Sequence, residues 1–336
     1  MSLITDLIPT NLNEEKEKFF NDNTYNPQFI FEKEISQQKL SEHGLPNEQY
    51  SELSKHILEK TYFGRNEDDL FMMEGPLVSQ SYVDKAIKTF LHMHQLHKKF
   101  NVTWSSSFVS RASINNETLK LRLPVDFRKE GLIGTMYHEI GTHALRNINY
   151  KQQPWFKRKK KFRFSNYLNT EEGLASLHSL IPHTYKSAFI SAIRHFAVSY
   201  AQKSSFAETW KMLGKYIQDP QRRWMVTLRQ KRGLTDTSKP GGFTKDLVYF
   251  EGMVETWNWL KDHNFDITNL YFGKMAKEDA DLSAELNPNF TPKLPSFFTL
   301  DRKKYANDMN KIGEFNGFEQ KDLTREGSYS KINCKN

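Results

Sequence analysis

The chain has 336 residues, of which 38% are hydrophobic and 13% aromatic, and a formal net charge of +8. This apolar content excludes a wholly disordered chain, and the length suffices for one large domain or two modest ones. The single cysteine, Cys334, excludes an internal disulfide and a thiolate metal site, so any metal must use histidine and carboxylate ligands. The positive charge favours an acidic partner.

The sequence contains no signal for a membrane or for classical secretion. No stretch reaches the roughly 18 apolar residues of a membrane span. The N-terminus lacks the basic segment followed by an apolar run that a secretory signal needs. We therefore expect a cytoplasmic protein without membrane contact, and secretion into a host cell by a non-classical route stays open.

Hydrophobic periodicity predicts an α+β protein that is mainly helical. Residues 1–45 are polar and form an N-terminal arm, 46–300 form the main domain, and 301–336 form a partly packed C-terminal tail. Amphipathic patterns predict helices at Glu48 to Lys60 and Ser81 to Lys99. The alternation of Leu119, Leu121 and Leu123 after a turn at Ile114 to Glu117 predicts a small antiparallel sheet.

A helix predicted at Phe127 to Asn147 carries the segment H-E-I-G-T-H, with histidines at His138 and His143. Five residues of regular helix separate two side chains by about 140°, so these rings would not meet on an α-helix. A π-type bulge would let them converge, and Gly141 between them tolerates unusual backbone angles. A hydrolytic zinc site needs such ligands, a third protein ligand, and a carboxylate that takes a proton from water.

Spacing alone is a weak signal, as a second histidine group demonstrates. His92, His94 and His97 include another pair five residues apart, but they lack an adjacent glutamate and precede Lys98 and Lys99. We interpret this group as a solvated helix face.

The next predicted helix opens at Thr170, a candidate N-cap, and begins with Glu171 and Glu172. A histidine-glutamate helix followed by a helix that donates a carboxylate is how thermolysin-like zinc peptidases complete their metal ligands. Either glutamate could instead simply stabilise its own helix by interacting with the positive N-terminus. Further helices are predicted at about 185–203, 206–217, 221–231 and 244–260.

Several motifs together resemble the microtubule-associated tyrosine carboxypeptidase family and its bacterial relatives with a QEGLA-type motif. They are H-E-I-G-T-H-A-L-R, Gln153-Pro154-Trp155, T-E-E-G-L-A-S-L-H-S and G-G-F-T-K-D-L-V-Y-F-E-G, spread over about residues 60 to 260. The resemblance implies that the main domain is a zinc metallopeptidase catalytic domain. It implies one zinc ion held by His138, His143 and Glu172, with Glu139 as the catalytic base and Glu171 as the less favoured third ligand.

The resemblance also implies a metallocarboxypeptidase that removes a C-terminal tyrosine or another aromatic residue from an acidic tail, such as that of α-tubulin. A basic run between the two metal motifs could contact such a tail, or could simply be a solvated loop. Its residues are Lys157, Arg158, Lys159, Lys160, Lys161 and Arg163.

A carboxypeptidase needs a cation that recognises the terminal carboxylate, and arginine suits this task best. The candidates are Arg222, Arg223, Arg229, Arg232 and Lys245. Lys245 and Tyr249 stand four apart on one predicted helix face and could also stabilise the tetrahedral oxyanion.

Two other functions compete with the hydrolase. A non-catalytic, zinc-containing module could bind an acidic cytoskeletal protein or nucleic acid, but a structural zinc needs four protein ligands and only three are found. Nucleic-acid binding through the basic run lacks a recognised motif. We expect a monomer.

Overall fold

The computed structural model describes residues 6–60, 66–108, 110–115 and 117–319. Asn116 of the predicted turn, the first five residues, and residues 320–336 with Cys334 lie outside this range. The α-helices, in chain order, are α1 (Leu12–Asn21), α2 (Gln37–Leu40), α3 (Glu48–Lys60), α4 (Glu67–Glu74), α5 (Gln80–Met93), α6 (Lys129–Met136), α7 (Leu145–Tyr150), α8 (Leu168–Leu180), α9 (Phe189–Ala201), α10 (Phe206–Leu213), α11 (Pro220–Lys231), α12 (Leu247–Asp262), α13 (Ala280–Leu286), α14 (Ser296–Thr299) and α15 (Arg302–Asn316).

The strands form one small sheet between α5 and α6. They are β1 (Asn101–Ser105), β2 (Ala112–Asn115) and β3 (Thr118–Arg122), in the order β1-β3-β2. β2 and β3 form the predicted antiparallel hairpin, whereas β1 pairs with β3 in parallel, so the sheet is mixed and not purely antiparallel. The mainly helical α+β class is confirmed, and β2 is an edge strand of the sheet.

Local signals explain several helix boundaries. Ser205 and Glu208 form a capping box at the start of α10, and Asp219 caps α11 with Pro220 at the first helical position. Thr170 is not an N-cap, because α8 begins two residues earlier at Leu168. Thr170 is buried, and its hydroxyl accepts a hydrogen bond from the Lys277 amide at 3.0 Å.

Two central helices, α8 and α12, touch backbone to backbone. A Cβ atom on Gly173 would lie 2.1 Å from the carbonyl of Gly252, and one on Gly252 would lie 2.1 Å from the carbonyl of Asn169. Only glycine allows this approach. The main core contains Leu174 and other residues of α8 and α12, and the contact fixes the start of α8, where Glu172 lies.

Both ends of the described chain contribute buried side chains. Phe19 and Phe29 pack with Phe206 and Trp224 in an aromatic cluster, and Tyr305 of α15 belongs to the main core. The division at residues 45 and 300 stays a prediction. Among the described residues, no helix combines the length and apolar character that a membrane crossing requires.

Candidate metal centre

A π-helical turn interrupts the helix that carries the two histidines. The segment predicted at Phe127 to Asn147 consists of α6, a π-helix over Tyr137–Ala144, and α7. Because hydrogen bonds in a π-helix join residues five positions apart, a residue and the one five positions after it lie on the same side of the helix. The structure therefore has the widened turn that the spacing of His138 and His143 predicted.

This turn brings three potential ligand atoms together. The Nε2 atoms of His138 and His143 are 3.1 Å apart, and Glu172 Oε2 lies 4.0 Å and 3.6 Å from them respectively. Ligands at zinc bond lengths in a tetrahedron are separated by about 3.3 Å. Two imidazole nitrogens and a carboxylate oxygen at these separations fit one divalent ion, and within the described part of the chain they form such a group with all ligand atoms inside 4.8 Å.

Glycine at position 141 fits the turn for a different reason from the one the sequence indicated. Its φ is not in the left-handed region, so the turn makes no use of glycine's freedom there. Instead, a Cβ atom on Gly141 would lie 2.6 Å from Cε1 of Phe297, which stacks on Tyr137 at 4.2 Å between ring centroids. The glycine makes room for an aromatic ring against the π-turn.

The electrostatics of the pair favour a cation between the rings. Burial and then the neighbouring His143 lower the pKa of His138 to about 4. Burial also disfavours a charged His143, but the carboxylates of Glu172 and Glu171 outweigh it and raise the pKa of His143 to about 10. The surrounding carboxylates thus hold one positive charge at this point, which a divalent ion can supply in place of the proton.

Glu171 lies behind the cluster and orients His143. Its Oε1 accepts a hydrogen bond from His143 Nδ1 at 2.7 Å and lies 3.1 Å from Lys274 Nζ. Its other oxygen accepts from the buried guanidinium of Arg146, which also donates to the carbonyls of Leu270 and Met275. A carboxylate that fixes a histidine ring from behind is the usual outer partner of a metal-bound imidazole. The geometry thus puts Glu172 in the cluster and Glu171 outside it.

Glu139 stands beside the cluster, next to the edge strand. Burial raises the pKa of the Glu139 carboxyl, and the charge of His143 opposes this rise. The backbone of Ile114 in β2 hydrogen-bonds the same carboxyl. A carboxyl with a raised pKa holds a proton more readily than a free carboxyl does, which suits a group that accepts and returns a proton.

A buried chain of hydrogen bonds supports the π-turn from its other side. Thr142 Oγ1 donates to the carbonyl of Tyr137 at 2.9 Å and pairs with His178 Nδ1 at 2.7 Å. His178 Nε2 in turn lies 2.9 Å from the hydroxyl of Tyr305. Tyr271 donates to the carbonyl of Gly141 at 2.7 Å. These partners satisfy buried polar groups that a widened turn would otherwise leave unpaired.

Of the residues proposed to bind substrate, Tyr249 lies near the cluster. Burial raises the pKa of its phenol, and the nearby charge of Glu172 raises it further, so the hydroxyl keeps its proton. Lys245 does not share a helix face with Tyr249, because it lies in a 3-10 turn at Thr244–Asp246 before α12 begins. Its charge acts on His43, whose pKa is lowered by burial and further by Lys245.

The arginine candidates differ in what their guanidinium groups contact. Arg229 forms two hydrogen bonds with Asp246, at 2.6 Å and 2.7 Å. Arg223 stacks on Trp210 at 3.9 Å from the ring centroid, and Arg232 lies 5.1 Å from the centroid of Phe243. Burial lowers the pKa of Arg222, and Glu74 and Asp219 oppose this. Arg223 is thus held in a separate aromatic cluster.

The basic run is exposed except at one lysine. Lys157, Arg158, Lys160, Lys161 and Arg163 are exposed. Lys159 instead turns inward, donates to the carbonyl of Lys274, and lies 3.5 Å from the ring centroid of Tyr167. Burial lowers the pKa of its amine to about 7. The run is thereby anchored beside the Lys274 and Glu171 pair.

Within the described ranges, no acidic side chain pairs with the other histidine group. His92 and His97 are exposed with stacked rings 3.8 Å apart, as expected of a solvated face. His94 differs, because it is buried and its Nε2 accepts a hydrogen bond from the Ser296 amide at 3.0 Å.

Two cations near the cluster could have been identified from the sequence. Arg146 follows His143 by three positions, so the two share a helix face, and Arg194 is a lone cation within the apolar helix α9. Lys274 and Tyr271 had no signal, since they reach the site from a segment more than a hundred residues away.

Comparisons with known proteins agree with the motifs. A family model described as microtubule-associated tyrosine carboxypeptidase matches residues 34–317. Mouse MATCAP2 is 32% identical over 331 residues, covering 96% of this chain and 63% of its own length. The protein named microtubule-associated tyrosine carboxypeptidase 1 is 29% identical in mouse and 30% in human, each alignment covering 96% of this chain and 70% of the relative.

The chain therefore spans less than two thirds of the length of mouse MATCAP2. The match nevertheless extends over most of the chain and includes both helices that carry the cluster. The chain belongs to the microtubule-associated tyrosine carboxypeptidase family.

Proposed function

We propose that this chain is a zinc-dependent carboxypeptidase that hydrolyses the C-terminal peptide bond of a protein tail. The preferred leaving residue is tyrosine or another aromatic residue, and the tail is acidic, as in α-tubulin. The observation that carries the proposal is the convergence of His138, His143 and Glu172 beside Glu139, in a family described as tyrosine carboxypeptidases.

His138, His143 and Glu172 would hold the zinc ion. When bound, zinc supplies a Lewis acid that polarises the peptide carbonyl and lowers the pKa of a water molecule. Three protein ligands would leave a position on the ion for water or substrate, as a catalytic site requires. Glu171 and the backbone of Ala175 hold the rings of His143 and His138 in place.

Glu139 takes the proton of the attacking water and later gives it to the leaving amine. Its raised pKa suits both transfers. Tyr249 keeps its hydroxyl proton and can donate it as a hydrogen bond to the oxyanion of the tetrahedral intermediate. Arg229 is close enough to hydrogen-bond the phenol oxygen, which leaves the hydroxyl hydrogen available for that donation.

A panel of acidic peptides that differ in their last two residues tests this function. We expect release of the terminal residue, most rapidly for tyrosine or another aromatic residue, and loss of the activity on addition of a chelator. Zinc should restore it. Activity that persists after the metal has been removed would contradict the proposal.

The competing function is a non-catalytic zinc module that binds an acidic partner. It requires a closed set of four protein ligands. Among the described residues the cluster contains three. A fourth protein side chain on the ion would favour this alternative.

A further inference from the structure

Arg194 stands out among the cations near the cluster because its guanidinium has no bonded partner. It projects from α9 and lies 5.9 Å from the ring centroid of Tyr249. In the described part of the chain, no carboxylate or carbonyl forms an ion pair or hydrogen bond with it, and the side chain is half-buried. A partly desolvated guanidinium that no carboxylate pairs with is costly unless it serves a ligand.

The neighbours of Arg194 carry an excess of positive charge. Arg229 and Arg232 share the region with one carboxylate, Asp246, and both hydrogen bonds of that carboxylate to arginine go to Arg229. Burial and then the charge of Arg229 lower the pKa of Arg194. Asp246 also attracts Arg194 but forms its hydrogen bonds to arginine with Arg229, so three arginines share one carboxylate and the region favours an additional anion.

The same region adjoins the metal cluster. Arg194 approaches Tyr249, which precedes Gly252 by three positions and therefore shares a face of α12 with it. Gly252 touches Gly173, which directly follows Glu172 of the cluster, so Tyr249 and Arg194 lie close to Glu172. An anion on Arg194 would therefore lie beside the reacting centre.

We propose that Arg194 binds the C-terminal carboxylate of the peptide substrate, with Arg229 and Asp246 as its fixed neighbours. This inference rests on the proposed carboxypeptidase function. A guanidinium can pair with both carboxylate oxygens at once, and a peptide that ends in an amide cannot replace that pair. Arg194 would thereby restrict cleavage to the last peptide bond of a chain.

Binding measurements on a Glu139→Gln background separate recognition from turnover. The probes are an acidic peptide that ends in tyrosine with a free carboxylate, and the same peptide with a C-terminal amide. With Arg194 intact, we expect the acid to bind at least about 30-fold more tightly than the amide, as is typical of a desolvated charge pair. With Arg194→Met, we expect the two peptides to bind within about threefold of each other.

Two further variants guard against misfolding and general charge effects. Arg194→Lys keeps the charge but loses the planar N–H donors that pair with both carboxylate oxygens. We therefore expect the preference for the acid over the amide to fall without vanishing. Arg302→Met removes an exposed arginine that lies 3.6 Å from Asp266 and should leave discrimination unchanged. Metal content and thermal unfolding should match the parent protein in both cases.

The outcomes distinguish this inference from the function on which it rests. If the wild-type enzyme cleaves peptides but the Arg194→Met variant still prefers the acid as strongly as its parent does, Arg194 is not the carboxylate site. If the zinc-loaded wild type cleaves no peptide and the Glu139→Gln protein binds neither probe, the proposed function fails and the inference falls with it.

Discussion

Three glutamates around the cluster have different surroundings, and these separate their roles. Burial disfavours the charged form of each. For Glu171 the charges of Lys274 and Arg146 outweigh burial and hold its pKa well below the usual value. For Glu172 the charge and hydrogen bond of His143 do so and lower its pKa. For Glu139 burial prevails and the pKa is raised. These environments support the proposed roles of Glu171 as the anchor of His143, Glu172 as a metal ligand and Glu139 as the base.

Replacing the base should separate metal binding from turnover. We expect Glu139→Gln to keep one equivalent of zinc and to lower kcat by about 10²–10⁴-fold, because the amide cannot take a proton from water. Elemental analysis and peptide hydrolysis measure the two properties. Hydrolysis at the wild-type rate would remove Glu139 from the base role.

Replacing the anchor should weaken the metal instead. We expect Glu171→Gln to lower zinc affinity by about 10–100-fold, since His143 loses its charged partner and Arg146 stays buried without one. Competition with a chromophoric chelator measures the affinity. Glu17→Gln, on the exposed side of α1, is the matched control. An affinity equal to that of the control would show that Glu171 does not act through His143.

At the scale of elements, the sequence predicted the helices and the π-turn, but it did not predict the contacts that hold them in place. The five-residue histidine spacing indicated a widened turn, because two ligands on a regular helix would diverge. The role of Gly141 could not be read in this way, since Phe297 approaches it from more than 150 positions away. Likewise, the parallel pairing of β1 with β3 depends on long-range contacts that strand alternation does not encode.

A methyl group at Gly141 tests the packing of the turn. We expect Gly141→Ala to destabilise the zinc-loaded protein by about 1–3 kcal/mol, because the new Cβ would overlap the Phe297 ring. Denaturant unfolding measures the change. Adding Phe297→Leu should recover part of the loss, with Phe297→Leu alone as the control. A double variant no more stable than Gly141→Ala would contradict direct contact as the cause.

At the scale of the molecule, the net charge of +8 is concentrated in part on the exposed residues of the basic run. This run is held by Phe162 and Phe164, which pack on the buried Trp155. Exposed charges increase the rate of association with an acidic partner more than they stabilise the complex, and salt screens them. The charge pattern predicted this surface, but composition could not show that Lys159 turns inward.

Removing the exposed charges should affect acidic tails selectively. We expect the triple variant Lys157→Ser, Lys160→Ser and Lys161→Ser to have a KM for an acidic peptide about fivefold higher at low salt. Its KM for a neutral peptide should change little. The difference should shrink as salt is added. The triple variant Lys55→Ser, Lys98→Ser and Lys303→Ser replaces three exposed lysines elsewhere, changes the net charge equally and serves as the control. An equal rise in both triple variants would assign the effect to net charge alone.

Anomalous diffraction at the zinc edge tests the central claim most directly. The expected result is a single peak bound by Nε2 of His138, Nε2 of His143 and an oxygen of Glu172, with no other protein ligand. A peak elsewhere, a fourth protein side chain on the ion, or no peak in zinc-loaded crystals would contradict a catalytic metal centre at this turn.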